Sequence, residues 1–234
     1  LCDTIKVSLL QLVEKGGYQT AKFGKIHYGN NPRGVNDFLI LPGQGSYINP
    51  KFISKKEDTI ITGYVTDIIT DITLNWLDKK RDKEKPFMMM YLHKAPHRPW
   101  WPSPEKFAEF YEKTFPEPET LFDDYKGRGT ASKTAEMNIL THMQYMKDSK
   151  IRPENLKEMG SVEPEIKYIR GEEVVRPGPN GFLGPYNRAN KEQRSKYNVT
   201  LDKINLDFKN NWPNMNDTQK MKWKFQRYMQ DYLG

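Results

Sequence analysis

Two of the four histidines in this 234-residue chain follow a strand-like run almost at once. His27 comes shortly after the β-prone run Tyr18-Gln19-Thr20-Ala21-Lys22-Phe23, with Lys25 between them. His97 comes shortly after the apolar run Pro86-Phe87-Met88-Met89-Met90-Tyr91-Leu92. In open α/β sheets, ligands sit outside the carboxyl ends of the strands, so two such turns present Lys25, His27 and His97 to one crevice. Lys25 then offers a fixed positive charge and His27 a donor, while His97 can change between donor and acceptor near neutral pH. A lysine and two histidines with no carboxylate nearby suit an anionic group such as a sulfate or phosphate ester. From spacing alone, the plainer reading as ordinary polar loop residues has the edge. His93 reads as structural and His142 as a partly exposed helix residue.

The elements around these groups read as an α/β layered fold. Residues 3–15 form a helix capped by Asp3 or Thr4, with Ile5, Leu9, Leu12 and Val13 on one face, stopped by Gly16-Gly17. A strand follows at 18–23. Residues 28–58, rich in Gly, Pro and Asn, read as a long irregular excursion, uncommon unless functional. From Thr62 to about Lys79 a helix buries Val65, Ile68, Ile69, Ile72 and Trp76. The run at 86–92 does not alternate, as expected of a parallel strand covered on both faces. Ser103-Pro104 opens a helix carrying Phe107, Phe110 and Tyr111. Residues 115–129 read as loop, and 130–147 as a helix with Met137, Leu140, Met143 and Met146 inward. The charged stretch 150–215, with Pro177-Gly178-Pro179-Asn180-Gly181, reads as a solvent-exposed insertion. An amphipathic helix, Trp223–Leu233, closes the chain.

Composition narrows the classes. Lys+Arg 37 against Asp+Glu 30 gives a formal charge of +7, and 36% hydrophobic residues are enough for a sizeable core. No apolar run approaches the roughly 20 residues of a membrane-spanning helix. A single cysteine, Cys2, excludes an internal disulfide framework and a cysteine-rich zinc site. The charge suits a polyanion, but basic residues alternate with acidic ones, as in Arg81-Asp82-Lys83-Glu84, and no nucleic-acid-binding motif appears, so nucleic acid is not an expected partner. The chain opens on Leu1 and enters a helix pattern almost at once, which reads as an internal piece of a longer protein.

The run Gly17-Tyr18-Gln19-Thr20-Ala21-Lys22-Phe23-Gly24-Lys25-Ile26-His27-Tyr28-Gly29 resembles the second signature of the type I, formylglycine-dependent sulfatases, G-Y-x-T-x-x-x-G-K-W-H-x-G. It matches at Gly17, Tyr18, Thr20, Gly24, Lys25, His27 and Gly29, and departs at Ile26, a packing change because that side chain points to the opposite face. Pro86-Phe87 through Ala95-Pro96-His97-Arg98-Pro99-Trp100 resembles that family's buried strand and P-H-x-P loop. Leu41-Pro42-Gly43-Gln44-Gly45, Tyr64-Val65-Thr66-Asp67 and Glu117 through Tyr125 follow in the order of its glycan-sulfatase branch. Several motifs in order outweigh any one of them.

The resemblance implies an alkaline phosphatase-like fold, a mixed and mostly parallel sheet sandwiched by helices, incomplete at both ends. One partial catalytic domain would span 1–234, with a core at 1–147 and 216–234 and a surface insertion at 148–215. It implies that Lys25 contacts the sulfate and the nucleophile, that His27 orients the nucleophile, and that His97 binds a sulfate oxygen and protonates the leaving sugar oxygen. From their own chemistry, Arg98 is a candidate contact for a sulfated or acidic sugar, and Trp100-Trp101 fits a sugar-stacking platform about as well as packing within the loop. The implied activity removes sulfate from a sulfated glycan, with N-acetylglucosamine-6-sulfate as the nearest substrate. The implied cofactors are calcium and a formylglycine made from Cys or Ser, and the implied location is periplasmic or secreted.

Departures from the family set limits. Cys2-Asp3-Thr4-Ile5-Lys6 lacks the Pro or Ala and the Arg of C/S-x-P/A-x-R, so Cys2 is not assigned as nucleophile. The aspartates that hold calcium have no match, and Asp67 and Asp71 read as a solvated helix face. The chain alone is therefore expected to be inactive and, as an isolated piece, poorly soluble. Three alternatives stay open: a phosphoesterase or phosphonate hydrolase of the same superfamily, a non-catalytic polyanion-binding module, and a degenerate gene fragment. Asn198-Val199-Thr200 and Asn216-Asp217-Thr218 fit the glycosylation pattern, which is frequent by chance.

Overall fold

A computed structural model of the chain describes residues 6–27, 30–135, 138–158, 165–169, 172–176 and 180–234. Cys2, the Asp3–Ile5 start of the expected first helix, Gly29 of the signature, Met137 and Pro177-Gly178-Pro179 lie outside these residues. The chain divides into two compact units, Leu1–His97 and Arg98–Gly234.

The first unit begins with α1, Leu9–Lys15. Its start is set by a capping box: the Ser8 hydroxyl accepts from Gln11 N and the Gln11 side chain accepts from Ser8 N. That satisfies two N-terminal amides and places the first turn at Leu9, later than Asp3 or Thr4 would. Leu10 is the residue it buries, while Leu9 and Leu12 of the expected apolar face are exposed.

Strands β1 (Gln19–Lys25), β2 (Asp37–Leu41), β3 (Lys51–Ser54), β4 (Thr59–Ile60) and β5 (Phe87–Leu92) form one sheet in the order β4-β3-β2-β1-β5. The first strand is parallel to both β2 and β5, with Lys25 opposite Leu41 and Gly24 opposite Leu92. The carboxyl ends of three strands therefore share one rim. The two remaining strands join antiparallel. The excursion expected over 28–58 thus contains β2 and β3. Their apolar cores, Phe38–Leu41 and Phe52-Ile53, are short and flanked by Gly, Pro and Asn, which hid them.

Helix α2, Val65–Asn75, ends in a wide turn at Trp76–Lys80 and buries Val65, Ile68, Ile69 and Trp76 of the expected stripe, while Ile72 is only half-buried. Trp76 meets Phe23 of β1 edge-on and donates to Asp37 Oδ2 at 2.9 Å. Leu10 belongs to a separate cluster with Ile26, Val35, Phe38 and Ile40, against which Met88, Met90 and Leu92 pack. The expectation that 86–92 is covered on both faces does not hold in full. Among the described residues β5 pairs with β1 alone, and Phe87 and Tyr91 are exposed.

The second unit is helical. Helix α3, Pro104–Tyr111, starts at a Ser103 cap with Pro104 in its first turn and buries Phe107. The helix expected over 130–147 is instead three short ones, α4 (Thr130–Thr134), α5 (Ile139–His142) and α6 (Tyr145–Asp148). The Asn138 side chain accepts from Leu140 N and Thr141 N, so it restarts the chain as a cap rather than continuing a helix. After them come α7 (Pro153–Glu158), the antiparallel pair β6 (Glu165–Ile169) and β7 (Glu172–Arg176), and α8 (Asn180–Arg188).

Residues 180–212 are not a solvated excursion. The long helix α9, Lys191–Asn211, buries Tyr197, Leu201, Ile204 and Phe208, and Tyr197 lies 6.1 Å from the Phe107 ring of α3. Tyr197 also donates to Pro102 O at 2.8 Å. The stripe is diluted by charge, which made it hard to see. Asn198 of the first glycosylation pattern accepts from Tyr186 and Arg152, and Thr200 is buried. Asn216 of the second caps the last helix, α10, Asp217–Leu233.

Buried charge holds this unit together. Asp231 accepts from Lys150 at 2.9 Å and from Arg227 at 2.6 Å, all three being almost wholly buried. Lys224 donates to Leu140 O and Met143 O, 2.8 Å each, with its ammonium over the Tyr145 ring. Breaking such a group strands the partner charges in a low-dielectric interior.

Two substitutions test this packing by urea denaturation. Gly24 has φ +98, and a Cβ there would stand 1.8 Å from Leu92 O, so Gly24→Ala is expected to cost about 3 kcal/mol or more. Asp231→Ala, which leaves Lys150 and Arg227 unpaired, is expected to cost about 3–5 kcal/mol. A midpoint unchanged in either variant contradicts the corresponding contact.

Candidate active site

The rim of the first unit is where its polar side chains converge. Lys25 is the last residue of β1 and is half-buried. Two residues on, His27 takes φ +50, a left-handed conformation that histidine tolerates better than most side chains but that still stores strain. Its exposed ring faces the loop after β2. Gln44 Nε2 lies 2.9 Å from His27 Nε2 and 3.3 Å from Nδ1. An amide nitrogen donates, so a His27 ring nitrogen accepts from it.

The same loop reaches the segment after β5. The Gln44 carbonyl accepts from Lys94 Nζ at 3.1 Å. The Lys94 ammonium sits 4.5 Å from the centre of the Tyr47 ring, and the Tyr47 hydroxyl donates to His97 O at 2.8 Å. A turn closed by His97 N donating to Lys94 O completes the clamp. Residues 42–47 thus bind the His27 turn on one side and the Lys94–His97 turn on the other. Sequence reading placed Lys25, His27 and His97 here, and the structure brings the segments carrying all three to one rim. His93, next to Lys94, is half-buried with its ring edge-on to Tyr91 at 4.4 Å, and its Nδ1 is buried with no hydrogen-bond partner among the described residues.

Three residues of the site were not foreseen: Gln44, Tyr47 and Lys94. Gln44 and Tyr47 lie beyond β2, itself unseen, whereas Lys94 could have been flagged as a lysine directly behind an apolar strand. It is only 5% exposed. Burial, with the nearby Lys25 charge adding to it, lowers its pKa to about 8. Burial also lowers that of Lys25. Among the described residues neither ammonium forms an ion pair with a carboxylate, so the rim carries positive charge held partly out of water. That arrangement favours an oxyanion. Behind it, Tyr47 and Tyr64 stack at 6.1 Å, and burial raises both phenols, Tyr64 to about 12.

Arg98 and Trp100, the expected sugar contacts, belong to the second unit. The Arg98 guanidinium donates from Nε to Asp148 Oδ1 at 2.5 Å and from Nη2 to Asp148 Oδ2, so the fork is engaged by a buried carboxylate. Trp100 packs edge-on to Tyr228 and Tyr232 of α10, and Trp101 is buried beside Tyr197. Asp67 and Asp71 are exposed on α2. Among the described residues no three of His, Cys, Asp and Glu gather into a possible metal site, so these residues do not fit calcium, which needs six to eight oxygens.

Stability should follow pH in a defined way. The Lys94 pKa lies below its value in the unfolded chain, so burying the charged form penalises folding below about pH 8, and the penalty is relieved as pH rises toward 10. The raised tyrosines act oppositely: their contribution is intact below pH 10 and lost above it, as the unfolded phenols ionise first. Urea midpoints are expected to climb between pH 8 and 10 and fall beyond it. Lys94→Met should remove the climb and add about 2–3 kcal/mol at pH 7. A flat wild-type profile from 8 to 10 contradicts the burial of Lys94.

Comparison with known proteins adds to this geometry. A family model described as Sulfatase matches residues 4–230. The N-acetylglucosamine-6-O-sulfatase of Bacteroides thetaiotaomicron is 35% identical over 230 residues, 96% of this chain and 37% of the relative. Human N-acetylglucosamine-6-sulfatase is 31% identical over 114 residues, 42% of this chain and 20% of the relative. The solved structure of BT4656 in complex with its substrate D-glucosamine-2-N,6-O-disulfate superposes with a TM-score of 0.80 at 35% identity, covering 97% of this chain and 43% of that one. The chain therefore spans less than half the length of these relatives.

Proposed function

Since this chain belongs to the sulfatase family, we propose that it carries one part of the centre of a sulfuric ester hydrolase acting on a sulfated glycan, with a glucosamine 6-O-sulfate as the substrate class. The observation that carries this reading is the rim itself, where Lys25, His27 and the His97 turn meet with two ammonium groups and no carboxylate partner among the described residues. The sulfated glucosamine bound by the structural neighbour and the activity named for the bacterial relative support the substrate class. A periplasmic or secreted location belongs to the same reading and rests on the resemblance to glycan sulfatases.

Hydrolysis of a sulfate monoester breaks the S–O bond, returns a proton to the sugar oxygen and leaves sulfate. In this reading Lys25 holds the non-bridging sulfate oxygens, where charge must be stabilised. His27, aligned by Gln44, orients the attacking group. His97 gives its proton to the departing sugar oxygen, which would otherwise leave as a poorly stable alkoxide. Formylglycine, the nucleophile the family generally uses, and calcium are supplied by no described residue, so these three side chains bind, orient and move a proton within a centre completed elsewhere.

The test is sulfate release by the intact gene product from glucosamine 6-sulfate. Lys25→Met and His97→Ala are each expected to lower kcat/KM about 10²–10⁴-fold. His97→Ala should lose less on an aryl sulfate, whose leaving group needs no acid. Release of phosphate from phosphate esters in place of sulfate, or variants as active as the parent, contradicts the reading.

A further inference from the structure

Three of the buried lysines, Lys94, Lys150 and Lys224, differ in what surrounds the ammonium. Lys150 has a carboxylate, Asp231, at 2.9 Å and a carbonyl, Lys147 O, at 3.0 Å. Lys224 has two carbonyls at 2.8 Å and an aromatic ring. Lys94 is buried too but has one carbonyl, Gln44 O, and the Tyr47 ring, and the charge acting on it is another ammonium, Lys25. An ammonium has three N–H donors, so among the described residues two of them meet no protein acceptor.

A charge so placed destabilises the folded chain unless something of opposite sign arrives. It stands two residues beyond β5, at the rim that β1 and β5 share, with its ammonium tied to the loop that holds His27. We propose that Lys94 is a second cation of the oxyanion site, lying with Lys25 against the non-bridging oxygens of the bound sulfate group. This rests on the sulfate-ester reading of the same rim and adds a binding residue to it. Two ammonium groups suit the doubly charged sulfate product and the charge that builds on the sulfuryl oxygens as the ester bond breaks. A single lysine would suit the singly charged ester nearly as well.

A consequence is that binding should follow the protonation of Lys94. The groups facing it are Lys25 on β1, Tyr47 with Tyr64 stacked behind, Gln44 linked to His27, and His93 and His97 on its own segment. Burial pushes the phenols upward and lowers both lysines, so between pH 7 and 9.5 Lys94, at about 8, loses its charge.

The experiment is inhibition by inorganic sulfate, and its direct binding by calorimetry, at pH 7 and pH 9.5, with the intact gene product and its Lys94→Met and Lys94→Arg variants. The parent is expected to bind sulfate at least tenfold more weakly at pH 9.5. Lys94→Met should weaken binding about 10–100-fold at pH 7 and flatten the pH dependence. Lys94→Arg should restore most of the affinity and keep it at pH 9.5. Sulfate binding that is equal in parent and Lys94→Met, or a parent affinity unchanged from pH 7 to 9.5, overturns the inference, and the second result needs no variant. If Lys94→Met has no effect while sulfate esters are still cleaved, the inference falls alone. If no sulfate ester is cleaved but oxyanion binding depends on Lys94, the inference stands and the hydrolase reading falls.

Discussion

Two lysine ammonium groups, Lys25 and Lys94, held partly out of water at one rim are the constraint on which the site in the first unit depends. Two ammonium groups held partly out of water, with no carboxylate paired to them among the described residues, raise the free energy of the fold, and the fold tolerates this because the rest of the rim is tightly specified. The backbone of β1 approaches β5 so closely that only glycine fits at position 24. The Gln44–Tyr47 loop then fastens the turns after both strands through an amide, a carbonyl, an aromatic ring and a phenol. Each of these contacts fixes the position of a cation or a histidine backbone without neutralising charge, which is the arrangement an anion site requires.

Much of this was legible before any coordinates. Lys25, His27 and His97 stood behind strands as candidates, the sulfatase resemblance tipped the reading toward a site, and the parallel pairing of β1 with β5 brings the segments that carry them to one rim. The amphipathic stripe of α2 ends at Trp76 as its periodicity predicts. What escaped was whatever depended on long-range contacts. The strand β2 is a five-residue segment inside a Gly- and Pro-rich stretch, and its partner loop supplies Gln44 and Tyr47, which no spacing rule connects to a histidine seventeen or fifty residues away. Helix α9 hides its buried stripe among lysines and asparagines, because its core contacts are spread over twenty-one residues. The Ser8 and Asn138 caps overrode apolar periodicity, since satisfying end amides decides where a short helix can begin.

The second unit solves its charge problem in the opposite way. Asp231 between Lys150 and Arg227, and Asp148 against Arg98, give these cations partners of opposite sign, while the buried Lys224 is held by two carbonyls. Arg98 was expected to reach a sugar, and its engagement by Asp148 shows how a motif residue next to a catalytic candidate can serve the local fold. Lys25 and Lys94, with no carboxylate paired to them among the described residues, mark the rim as a site for a ligand.

The most direct measurement is a crystal structure of the intact gene product with sulfate bound. Tetrahedral density within hydrogen-bond reach of the Lys25 amine and the His27 and His97 rings is the predicted result. Sulfate lodged elsewhere, with those three side chains turned away from one another, would contradict it.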